Sequence, residues 1–225
     1  MTILSNTSGF SILCGVTHKM GAEDLSVRDY LNIFGDDEGL RGLRWKIAKC
    51  SKLRIELIEE ALADFYGRLV DARKDKEKLG ENTLTRHLAD MLTVCGIPAR
   101  REEDVNGHCD LVVRASGNFL WLGEAKVHSD YGWLDDGFQQ LSTRYGTAME
   151  DRDHGELIIY HREGDSRNVL QTWKERLVAA NDHVVVSEDI EGQRLYFRTE
   201  HKCANSGCTF YTRHHIVPLM HDPKK

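Results

Sequence analysis

His108-Cys-Asp-Leu-Val-Val-Arg-Ala-Ser-Gly-Asn-Phe-Leu-Trp-Leu-Gly-Glu-Ala-Lys126 is the stretch whose reading decides the fold. It holds two short apolar runs, 111–113 and 119–122, joined by the turn-forming residues Ala115-Ser116-Gly117-Asn118. Two strands linked by a tight turn is the direct reading. Asp110 opens the first run, and Glu124 and Lys126 close the second. Antiparallel pairing sets the start of one strand beside the end of the other, and alternation puts residues 124 and 126 on one face. The pattern therefore predicts that Asp110, Glu124 and Lys126 converge at one end of a hairpin. Two carboxylates and an ammonium on otherwise apolar strands are costly to bury unless they pair or hold a cation.

Outward from the hairpin, the chain alternates helices and strands. Apolar residues at 53, 57, 58, 61, 62, 65, 66 and 69 predict a helix running from about Leu40 to Lys78. Its first part, 41–54, carries six basic residues and no acidic one. Arg41, Arg44, Lys49 and Lys52 fall on one broad side, as either a phosphate-contacting surface or a solvated face balanced by the acids that follow. ENTLTRHLADMLTVCG, 81–96, predicts a second helix opened by Glu81, which either favours the helix dipole or points into the site and helps hold a metal. Residues 97–102 read as a strand leading to the hairpin. A third helix is expected from about Trp133 to Met149, a buried strand at 155–162 and a fourth helix at 166–181. Further strands fall at 183–187, 194–199 and 208–219. The expected fold class is α/β, a mixed β-sheet flanked by helices. Residues 1–80 would be an N-terminal extension, largely helical from about 41, and 81–225 the main domain. Residues 1–40 carry no assignable chemistry, and GDDEG at 35–39 reads as a solvated turn.

Composition sets bounds. With 40% hydrophobic and 29% charged residues the chain is of the globular class. No apolar run has membrane-spanning length, and MTILSNTSGF lacks the basic-then-apolar layout of a signal peptide, so no membrane association and a cytoplasmic location are expected. The six cysteines, scattered through regular segments, read as reduced thiols. A formal net charge of −6 argues against indiscriminate electrostatic binding to nucleic acid.

Hydrolysing a phosphodiester needs an attacking water, neutralisation of charge around phosphorus and relief for the leaving oxygen. A hard divalent cation held by carboxylates supplies most of this. Asp110 and Glu124 are ligand types suited to Mg²⁺ or Mn²⁺, the Ala125 backbone carbonyl can complete an oxygen set, and Lys126 can position the water and balance phosphate charge. Gln140 and Arg144, four apart, share a helical face, and either contact a phosphate near the metal or lie on a solvated side.

Asp110, thirteen residues, then Glu124-Ala125-Lys126 resembles the D…ExK signature of PD-(D/E)xK nucleases, the restriction-endonuclease-like superfamily. The helix with Glu81, the strand, the hairpin, and the following helix and strand, over about 81–161, are similar to that core. The resemblance implies a metal-dependent DNA nuclease with Asp110, Glu124, Lys126 and Glu81 as catalytic residues. It implies a bacterial or phage setting such as restriction, repair or antiphage defence, where a homo-oligomer or regulatory partner is common. Cys109 stands where proline is frequent. Relatives similar to the lambda exonuclease group carry Gln-x-x-x-Tyr on the next helix; here Gln140 to Tyr145 is one residue longer, and Gln140, Arg144 and Tyr145 are the candidate substrate-binding residues.

The C-terminal His201, Cys203, Cys208, His214 and His215 offer zinc-ligand types, with Cys203, Cys208 and His214 the candidate set, or plain strand residues. HHIVPL, 214–219, resembles the first half of an HNH nuclease motif, but no asparagine follows 205 to complete it; the two histidines could still approach the substrate from a neighbouring strand. These features support a different class, a non-catalytic nucleic-acid- or partner-binding module.

Overall fold

The computed structural model describes residues 38–224 and positions 26, 27, 29 and 33, so the readings for 1–40 fall largely outside the described residues. The chain divides into two contact units, 1–40 and 41–225. All that follows concerns the second.

Its first two helices, α1 (Arg41–Ile47) and α2 (Ser51–Asp71), replace the single helix expected from 40 to 78. Arg41 bonds Glu60 and Asp64, and Arg44 bonds Glu60 at 2.8 Å. In one straight helix Arg41 and Asp64 would stand about 34 Å apart, so these ion pairs require the chain to fold back at 48–50. The same pairs correct the phosphate-contacting reading of Arg41 and Arg44, which are taken up by acids of α2. Gly42 also lets α1 cross the end of the helix Glu81–Val94, since a Cβ there would meet the Cys95 carbonyl oxygen at 2.7 Å.

Helix α3 (Glu81–Val94) leads through Gly96 to β1 (Ala99–Arg100). A small hairpin, β2 (Glu103–Asp104) with β3 (His108–Cys109), precedes the central hairpin of β4 (Leu111–Arg114) and β5 (Leu120–Val127). Gly117 and Asn118 take φ of 78° and 66° at its turn, the left-handed region that these two residue types tolerate best. Then come α4 (Tyr131–Gln139), a π-helical turn (Gln140–Tyr145), β6 (His154–His161) and α5 (Ser166–Ala180). The strands β7 (Val185–Glu188), β8 (Tyr196–Lys202) and β9 (Thr209–Pro218) complete the unit.

Seven strands form one mixed sheet in the order β1-β4-β5-β6-β9-β8-β7, with β5, β6 and β9 parallel and the other pairings antiparallel. Alternation sorts its side chains. Leu111, Val113, Trp121, Ala125, Ile158, Tyr160 and Val217 pack with α1–α3. Leu157, Ile159, Phe197 and Ile216 pack with α4 and α5. The sheet is thus flanked by helices on both faces. Helices α1 and α2 share the sheet's core and belong with it to the unit 41–225. Beneath α2, Glu156 of β6 is fully buried, accepting from the Tyr66 hydroxyl (2.9 Å) and pairing with Arg213 of β9 (2.8 Å). No helix among the described residues is long and apolar enough to cross a membrane.

Candidate active site

The register of β4 on β5 pairs Leu111 with Gly123, which brings Asp110 to the level of Glu124 and Ala125. Asp110 Oδ2 accepts the Ala125 backbone N–H at 2.9 Å, tying the start of one strand to the end of the other. Glu124 and Lys126 share a face, and Glu124 Oε1 accepts from Lys126 Nζ at 2.7 Å. The convergence predicted from alternation is present.

The helix after the hairpin closes over the lysine. Trp133, Gly137 and Gln140 recur at i, i+4 and i+7 and so line one face. Gln140 Oε1 accepts from Lys126 Nζ at 3.1 Å, and the Trp133 ring centroid lies 4.6 Å from Nζ. Between them Gly137 sits on the lysine stem: a Cβ there would stand 2.9 Å from Lys126 Cγ and Cε. Only a glycine lets α4 come this close. Lys126 is left 4% exposed and Glu124 2%.

Glu81, on the first turn of α3, comes to the edge of the site. Its Oε2 accepts the Val127 N–H at 2.8 Å. It stands there from the first turn of its helix, with one carboxylate oxygen committed to the backbone.

Burial raises the carboxyl pKa of Glu81, Asp110 and Glu124 alike. Glu124 is pushed furthest, up to about 7, because the neighbouring Asp110 adds its charge and Lys126 only partly offsets it. Glu124 Oε2 is buried without a hydrogen-bond partner. An ionised carboxylate with an orphaned oxygen beside a second carboxylate is relieved by a proton or by a hard cation. The residues therefore fit a divalent metal, with Asp110 and Glu124 as the carboxylates that would hold it and the Ala125 carbonyl as a further oxygen. No cluster of three His, Cys, Asp or Glu side chains stands ready to hold a metal among the described residues.

The other candidates separate. Tyr145, proposed for substrate binding, is buried, and its hydroxyl donates to the His108 carbonyl at 2.8 Å, so it braces the strand that leads into Asp110. Arg144 is exposed, its stem against Gly107. The expected helix to Met149 ends at Gln139 because the next turn is π-helical, with Gly146 N–H bonding Leu141 O. Such a turn joins residues five apart, so it absorbs the extra residue between Gln140 and Tyr145.

His214 is packed on Phe197 and bonds Trp173 and Thr199, while His215 lies under α2 beside Tyr66, on the opposite face. Neither approaches the site, and β6 stands between their strand and β5. Cys203 Sγ donates to the Gly146 carbonyl, and the five described cysteines are all free. The Cys203, Cys208 and His214 set is not brought together.

Sequence reasoning missed Gly137 and the placement of Trp133 against Lys126. The available signal was the Trp-x-x-x-Gly-x-x-Gln spacing, a stripe breaking the apolar face of α4 on the side toward Lys126. No family model, curated protein or solved structure matches the chain.

Proposed function

We propose that this chain is a divalent-metal-dependent nuclease that hydrolyses DNA phosphodiester bonds on a restriction-endonuclease-like core. The observation that carries the reading is the meeting of Asp110, Glu124 and Lys126 at one end of β4 and β5, with Glu124 Oε2 buried and unpartnered. The order helix with Glu81, strand, hairpin, helix, strand supports the same core. Asp110 and Glu124 would hold the ion, assisted by the Ala125 carbonyl and, directly or through water, by Glu81. When bound, the ion supplies neutralisation of phosphate charge and a more acidic water.

The chain's own residues do the rest. An ammonium has three N–H donors. Lys126 gives one to Glu124 and one to Gln140, leaving one for a phosphate oxygen or the attacking water. Gly137 and Trp133 restrict how that ammonium can move and shield it from bulk water, which strengthens its attraction for developing negative charge. Tyr145 and the Ala125 N–H fix the position of Asp110. The setting this reading fits is restriction, repair or antiphage defence.

The test is cleavage of supercoiled plasmid and of linear single- and double-stranded DNA with Mg²⁺, Mn²⁺ or EDTA. Wild type should cut only with metal, Glu124→Ala should not cut, and Lys126→Ala should lose about 100-fold or more while remaining folded. A folded wild type that cuts none of these with either metal would overturn the reading.

A further inference from the structure

Of the four tryptophans, Trp45, Trp121 and Trp173 are buried, and Trp133 is 41% exposed. Exposed tryptophans are often mobile, but this one is pinned. Its backbone N–H caps onto Asp130 Oδ1 at 2.9 Å, and its ring lies against Lys126 Nζ, 4.6 Å from the centroid. One side of the indole is thus set against the group expected to touch the scissile phosphate, while the residue as a whole stays 41% exposed. A large apolar surface held open and rigid at the rim of a site is suited to receiving another flat ring.

We propose that the open face of Trp133 is a stacking platform for an unpaired base beside the scissile phosphate, so that the substrate class is single-stranded or frayed nucleic acid. This rests on the nuclease reading of the same site. In a continuous duplex the bases are stacked inside and present only sugar and phosphate to a ring placed beside the phosphate-contacting lysine. A single strand can turn a base onto the indole, and such stacking tolerates any sequence. The charge around the ring agrees. Asp130, Asp135 and Asp136 lie on or beside the same helix, with Asp130 and Asp136 exposed. They repel the phosphates of a second strand passing along α4. The ring also meets Lys126, so a role confined to holding that ammonium is the competing explanation, and the test separates the two.

All four tryptophans emit, but the other three are buried, so the part of the intrinsic fluorescence that a ligand in solution can quench reports on Trp133. A short single-stranded oligonucleotide added in EDTA should quench wild-type emission, and the same sequence as a blunt duplex should not. Trp133→Leu should lose the quenchable signal and raise KM on single strands about tenfold, with a smaller change in kcat. Trp133→Phe should keep most of the affinity. With Mg²⁺, single strands and frayed ends should be cut faster than blunt duplex. Equal cutting of both forms without quenching would overturn the platform and leave the nuclease standing. So would a fall in kcat at unchanged KM in Trp133→Leu. Quenching by single strands with no cutting would overturn the nuclease and keep the platform as a binding surface. Neither quenching nor cutting would remove both.

Discussion

Replacing Glu124 with Gln should change how stability depends on pH. Burial and the neighbouring Asp110 push the Glu124 carboxyl up to about 7 in the folded protein, from an ordinary 4.5. Between those values the folded chain holds a proton that the unfolded chain has released. Stability is therefore lost as pH rises from about 4.5 to about 7, and the loss persists above. At about 1.4 kcal/mol per pH unit the full interval is worth roughly 3 kcal/mol, most of which falls between pH 5 and 8. Gln keeps an oxygen that accepts from Lys126 and removes the titration. Buried histidines such as His201 and His214, whose pKa values are lowered by burial, slope the other way up to about pH 6.5. They are common to both proteins and cancel in the difference. Unfolding in EDTA at pH 5, 6, 7 and 8 should show the wild-type-minus-variant stability falling by roughly 2–3 kcal/mol, a relative shift in Tm of roughly 5–10 °C. Mg²⁺ at pH 8 should raise the wild-type Tm and leave the variant's almost unmoved. A difference that stays flat within about 0.5 kcal/mol across that range would refute the account of a desolvated, metal-ready carboxylate.

Three other substitutions probe parts of the same construction. Gly137→Ala puts a Cβ 2.9 Å from Lys126 and 3.0 Å from Leu157 Cδ1, so it should cost about 1–3 kcal/mol in thermal unfolding and lower kcat at least tenfold by moving the ammonium. Tyr145→Phe removes the hydroxyl bond to His108; it should cost about 1 kcal/mol and leave KM for DNA unchanged, whereas a raised KM would return Tyr145 to the substrate. Arg213→Met strands the buried Glu156 and should destabilise by about 3–5 kcal/mol in urea, most of which the double change with Glu156→Gln should restore.

The hairpin from Asp110 to Lys126 was legible because its information is local. A period of two and a turn containing Gly117 and Asn118 fix which side chains meet, whatever packs above them. The buried strand β6 was legible as a continuous apolar run, and α5 from its own periodicity. What escaped depends on partners far along the chain. Helices α1 and α2 separate because Arg41 reaches Asp64, and a helical repeat shows no such break. The π-helical turn answers to the Tyr145 contact with His108, thirty-seven residues away. Gly137 reads as a weak helix residue until Lys126 is seen beneath it. The histidines 214 and 215 suggested chemistry by type, but the sheet turns each into a different apolar layer.

The buried pair of Glu156 and Arg213 also bears on how the chain finds its alignment. The two residues are direct partners across the parallel strands β6 and β9, which lie on either side of α5, β7 and β8 in sequence. Parallel strands so far apart associate late, and a slip by one residue exchanges the two faces of the incoming strand. Slipped in this way, Arg213 would enter the layer of Trp173 and Phe197, and Glu156 would be left uncompensated under α2. The ion pair thus acts as a proofreading device for β9, penalising near-miss pairings that apolar side chains alone would tolerate. A chain carrying both Glu156→Gln and Arg213→Met should refold with an added slow phase as misaligned strands dissociate and try again. Single-phase refolding at the wild-type rate would remove that role from the pair.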